Sequence, residues 1–167
     1  YASKLMEDIA TNSPPSARKA EIGTKTAILF FMNKQPRKAI EIIKKTDFDK
    51  IPTYLKDERQ IITARCLLDL GEYDSALISS GNMDAEEEAR IRAEIAWKKS
   101  DWPKLVESHK NIENKTPEDV IKLAIANSIL SNNTNLKLLR SKYADLMKSS
   151  SYADEFNYIS NTDNIDY

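Results

Sequence analysis

Apolar side chains recur three and four residues apart along this chain, the spacing that gives a helix one buried face. From about Ser16 to Met32 the series Ala20, Thr24, Ala27, Ile28 and Phe31 follows it. Asn33 to Gln35 interrupts the series. Pro36 then suits a first helical turn, where its missing N–H leaves nothing unpaired, and a second helix carries Ala39, Ile40 and Ile43 to about Lys45. The same succession of long helix, short break and returning helix predicts pairs over about 16–45, 53–80, 84–112 and 116–147. Thr46 to Pro52 reads as a polar loop interrupted by Phe48 and Ile51. Asp84, with three glutamates behind it, caps one helix; Thr116, with Pro117 after it and Asp119 placed to reach back, caps another. A flanking helix over 2–10 puts Leu5, Ile9 and Ala10 on one face and stops before Pro14 and Pro15. A second, over 152–159, aligns Tyr152, Phe156 and Ile159, and 161–167 reads as a disordered tail. All of 1–160 is thus expected to form one all-α domain.

The pairing is fullest between Ala64 and Ser80. Ala64 and Ala76 are small where two helices must approach, Gly71 supplies the positive φ that ends the first helix, and Tyr73 sets a ring over the junction. Aligning the other pairs on this turn brings Ala27, Ala64, Ala93 and Ala124 to one place in the first helices. The turns then fall at Lys34, Gly71, Ser100 and Ser131, and the contact position of the second helices at Ala39, Ala76, Leu105 and Leu136. Successive turns are 37, 29 and 31 residues apart. This pattern resembles the tetratricopeptide repeat, whose period is about 34 residues, and the match is best from Ala64 to Leu105. Elsewhere it departs: Ser100 replaces the turn glycine in the third pair, where Trp102 stands in for Tyr73, the fourth pair has neither, and Pro36 takes the aromatic's place in the first. The resemblance implies a right-handed α-α superhelix of about four helical hairpins with an extra helix at each end, related α-solenoids being the neighbouring alternative.

In that family the first helices of successive pairs line an inner groove that binds proteins or peptides. Carried over by the alignment, the inward residues are Ile28, Phe31 and Met32, then Arg65 and Leu68, then Arg90, Glu94, Trp97 and Lys98. Aromatic and arginine side chains are the usual energetic anchors of protein interfaces. The family's lysine and asparagine clamp for a terminal carboxylate is not reproduced, since Ile61 and Arg65 occupy the matching places. The implied function is non-catalytic binding of a protein or peptide. The alternative is a structural spacer or oligomerisation segment, self-associating through its terminal helices and recruiting nothing else.

Composition narrows the field further. The chain has 167 residues, three glycines and six prolines, which leaves little turn chemistry for a sheet protein. A net charge of −1 provides no basic field for nucleic acid, and regular basic and aromatic positions for helical-repeat RNA binding are lacking. The longest apolar run, Ala27 to Met32, is far short of the roughly 20 residues of a membrane span. Beginning at Tyr1, the chain is expected to be a segment of a longer protein, cytoplasmic by default. Its glycines are too scattered for a phosphate loop, and no cofactor is implied. One cysteine and one histidine are too few for a zinc site. Cys66 sits on the stripe of Ile62 and Leu70 and reads as a packing residue; His109, between Ser108 and Lys110, shows no acid partner in the sequence. No enzyme is expected.

Overall fold

The prolines, caps and apolar stripes resolve into ten α-helices and one 3-10 turn in the computed structural model, which describes residues 2–161. The tail expected to be disordered therefore lies, apart from Asn161, outside the described residues. The helices are α1 (Ala2–Asn12), α2 (Ala17–Met32), α3 (Pro36–Lys45), α4 (Thr53–Asp69), α5 (Tyr73–Ser80), α6 (Ala85–Lys98), α7 (Trp102–Ser108), α8 (Pro117–Ile129), α9 (Asn133–Lys148) and α10 (Ala153–Ser160). The 3-10 turn His109–Asn111 follows α7. Among the described residues there is no strand. The helices group into two compact units, one ending at Ile91 and the other starting at Arg92 within α6.

Four joints share one backbone geometry. Among the described residues, those with positive φ are Lys34 (57°), Gly71 (75°), Ser100 (54°) and Ser131 (54°), the four turn positions of the alignment. At each, this residue's N–H donates to the carbonyl three residues back: Phe31, Leu68, Trp97 and Ser128, at 3.0–3.1 Å. The next N–H, of Gln35, Glu72, Asp101 or Asn132, reaches five back to Phe30, Leu67, Ala96 or Asn127, at 2.8–2.9 Å. This pair of bonds is the Schellman motif, which satisfies carbonyls that a helix end leaves without partners. The second residue of each joint also begins the returning helix, because its carbonyl accepts from Ala39, Ala76, Leu105 or Leu136 N–H. A three-residue connection then needs small or well-packed side chains where the helices meet. Ala27, Ala64, Ala93 and Ala124 are all buried, as are Ala39, Ala76, Leu105 and Leu136.

In the first unit α2 packs on α1, α3 and α4, and α4 on α3 and α5, so helices touch both the next and the next but one. Ser16 caps α2 by accepting from Lys19 N–H at 3.1 Å. Ala10, Ala27, Phe30, Ala39, Ile42, Ile62 and Cys66 form one core cluster. Burying a large apolar side chain contributes roughly 1.5–3 kcal/mol, and Phe30, Ile42 and Ile62 carry most of that here. Leu5 and Ile9, placed on one face with Ala10 by their spacing, are 58% and 47% exposed while Ala10 is fully buried. The loop after α3 is held by Ile51, which packs with Ala20 and Leu55 while Phe48 leans on them.

Arg59 of α4 ties this unit together from inside. Its side chain is buried, and it donates to Ala20 O at 3.1 Å, to the hydroxyls of Thr24 and Thr46 at 3.2 Å each, and to Ile43 O. Burial pulls its pKa below the ordinary arginine value, and Asp47, 4.0 Å away, opposes that pull.

In the second unit α8 packs on α7, α9 and α10. Thr116 and Asp119 make the anticipated capping box, and Pro117 occupies the first turn. Val120, Ile121, Ala124, Leu136, Met147 and Phe156 form the core, with Tyr152 and Ile159 against it. The last apolar stripe is therefore packed within its own unit. The third returning helix was expected to reach about Ile112, but α7 ends at Ser108 and the chain tightens into the 3-10 turn before Ile112 is buried.

Candidate functional site

Arg90, Glu94, Trp97 and Lys98 follow one another at four, three and one residues, which places them on one face of α6. Asp84 prepares the start of that helix, its Oδ1 accepting from Glu86 N–H at 2.9 Å. The first-turn glutamates face the positive end of the helix dipole and also hold the arginines. Glu86 pairs with Arg90 at 2.8 Å, and Glu87 accepts from Arg65 of α4 at 3.3 Å. Both arginines are half-buried, so their guanidinium groups are oriented yet still reach solvent.

Trp97 is half-buried and meets Trp102 edge to face, with ring centroids 5.7 Å apart and planes at 74°. Lys122 lies 5.5 Å from the Trp97 centroid and pairs with Glu118 at 2.6 Å. Glu94 is half-buried and Lys98 exposed. Of the remaining residues expected to face inward, Phe31 is half-buried against the first unit's core, Met32 is 70% exposed and Leu68 is only 5% exposed. Leu68 therefore contributes packing and offers almost no surface. Arg65 and Arg90 are thus held by Glu87 and Glu86 in the first unit, while Trp97 stands with Trp102 and Lys122 in the second.

Two residues with chemical potential sit elsewhere. Cys66 is free and fully buried, and burial pushes its thiol pKa from the ordinary 9.0 up to about 12, so it stays protonated at neutral pH. His109 is buried too. Its Nδ1 donates to Leu105 O at 2.9 Å, which fixes a proton on that nitrogen because a carbonyl only accepts. The sequence shows it no acid partner, but the fold brings Asp119 Oδ1 to 3.7 Å from Nε2, just outside hydrogen-bond reach. Among the described residues, no three His, Cys, Asp or Glu side chains are grouped to hold a metal ion, and no helix is long and apolar enough to cross a membrane.

Sequence reasoning passes over a cavity of about 240 Å³ in the second unit, bounded by α7, the 3-10 turn, α8 and α9. Its signal in the sequence is the pair Leu138 and Lys142, four residues apart on α9. Comparison with known proteins gives no matching family model, no matching curated protein and no matching solved structure.

Proposed function

We propose that this chain is a non-catalytic module of tetratricopeptide-like helical hairpins that binds a protein or peptide partner, with the face of α6 as its principal contact. The observation that carries the reading is the fourfold joint at Lys34, Gly71, Ser100 and Ser131, with small or apolar buried residues at the matching helix contacts. Hairpins so joined bury one seam each and need neighbours to cover the rest, the physical basis of a right-handed solenoid. Arg65, Arg90 and Trp97 then supply oriented donors and a large ring of the kind that anchors interfaces.

The test is partner capture from native lysate by the wild-type chain and by an Arg90→Glu, Trp97→Ala double variant. Capture by the wild type alone, with the variant's helical circular dichroism retained, supports the reading; equal capture by both removes α6 from the site. A second reading, a spacer that associates end to end, draws support from the exposure of Leu5 and Ile9 on α1. Sedimentation of the chain alone separates the two. A monomer favours partner binding, whereas concentration-dependent association lost on Leu5→Glu favours the spacer.

A further inference from the structure

The cavity in the second unit carries charge of a single sign, and from this we infer that it is a docking site for an acidic peptide segment that inserts one large apolar side chain. Its apolar wall includes Leu123 of α8 and Leu138 and Tyr143 of α9. Lys110, Lys115 and Lys142 line it as well, and no carboxylate is found among the described residues that do so. Such a wall attracts carboxylates and disfavours cationic segments. The wall is also incomplete. α7 gives way to the 3-10 turn after seven residues while α9 continues for sixteen, and Leu138 is left 62% exposed. The His109 ring is a further lining group; it is 2% exposed, and its Nε2 has no hydrogen-bond partner among the described residues.

Size and charge placement decide between occupants. About 240 Å³ is below the roughly 300–1,000 Å³ of sites that enclose a drug-sized molecule, and it suits a single leucine or phenylalanine side chain. The three ammonium groups do not converge. Lys110 is held by Glu107 at 2.5 Å, Lys115 donates to Ile112 O, and Lys142 lies 5.3 Å from the Tyr143 ring centroid. Cations tethered to separate neighbours suit carboxylates strung along a chain better than one small anion. The site lies on other residues than the face of α6 and does not depend on that face being a contact.

The probe is a fluorescein-labelled octapeptide with a central leucine-phenylalanine pair flanked by aspartates and glutamates, titrated with the full chain and followed by anisotropy. The expected result is saturable binding that weakens about tenfold or more between about 50 and about 500 mM salt, as screened rim charges require. Leu138→Asp and Lys142→Glu should each weaken it about tenfold or more; both positions are exposed, so the fold survives, which circular dichroism checks. Trp97→Ala should leave it unchanged. Four results would overturn the inference: no saturation by about 1 mM chain, undiminished affinity in Leu138→Asp, equal binding of a peptide with serines in place of the apolar pair, or octanoate binding as tightly as the peptide. Loss of binding in Trp97→Ala alone would move the peptide to α6 and also overturn it.

Discussion

Gly23 of α2 lies so close to Thr46 at the end of α3 that a Cβ on Gly23 would sit 2.1 Å from the threonine Oγ1 and 2.6 Å from its Cβ. Thr46 cannot yield easily, because its hydroxyl donates to Ile42 O at 2.7 Å and accepts from Arg59. Gly23→Ala gains helix propensity worth about 1 kcal/mol but forces the two helices apart, and overpacking of this kind costs about 1–3 kcal/mol. The expected outcome is a net loss of stability, read as a lower urea midpoint by circular dichroism. An unchanged or higher midpoint would show that α3 can shift.

Arg59 leads to the second prediction. Arg59→Leu keeps an apolar stem but leaves Ala20 O, Ile43 O and the Thr24 and Thr46 hydroxyls short of a buried donor. A buried group left without its partner costs about 1–3 kcal/mol, so a total near 3 kcal/mol is expected. Arg59→Lys should recover only part of it, since one ammonium cannot span acceptors on α2 and α3 as a planar fork does. Chemical denaturation of both variants measures the difference.

The joints supply a third test that separates backbone strain from contact. A Cβ on Gly71 would touch nothing within 4 Å, yet its φ of 75° disfavours any side chain. Gly71→Ala should therefore destabilise by about 1 kcal/mol with no steric clash. Ser100→Gly and Ser131→Gly, at φ 54°, should each stabilise by up to about 1 kcal/mol. Melting the three variants beside the wild type gives signs as well as sizes.

Cys66 makes stability depend on alkaline pH. Its thiol titrates near 12 when folded against the ordinary 9.0, so between those values the unfolded chain has released a proton that the folded chain retains. Releasing protons favours the unfolded state as pH rises. Stability is thus unaffected by this group below about pH 9 and falls above it, by at most about 1.4 kcal/mol per unit. Subtracting the pH profile of Cys66→Ala isolates the effect from tyrosines and lysines; identical slopes for the two proteins would refute it.

Much of the helical framework is legible in the sequence because its signals are local. Thr116, Pro117 and Asp119 act within one turn, and the alignment on Gly71 finds the left-handed residue even where lysine or serine fills it. What escapes notice depends on distance along the chain. Arg59 looks like any charged residue on a helix, and the partners that make it internal lie 13, 35 and 39 residues away. Gly23 carries no turn signal, and its role comes from α3. Asp119 comes to 3.7 Å from His109 only because the chain doubles back after the 3-10 turn. Arg90, Glu94, Trp97 and Lys98 all lie in α6, but spacing cannot tell that Leu68 is turned into packing while Arg65 is turned toward Glu87.

The four joints use lysine, glycine or serine at the strained residue and glutamine, glutamate, aspartate or asparagine at the one that follows. Several side chains are accommodated there, the non-glycine ones at some backbone strain, whereas the residue count is the same at all four. One extra residue at such a corner would break the interlocked amide ladder and release the return helix from its register, and a shift of one residue swings a helical face by about 100°. Diversity among related chains should accordingly accumulate as exchanges at these corners, with insertions confined to the longer connections such as the one from Thr46 to Pro52.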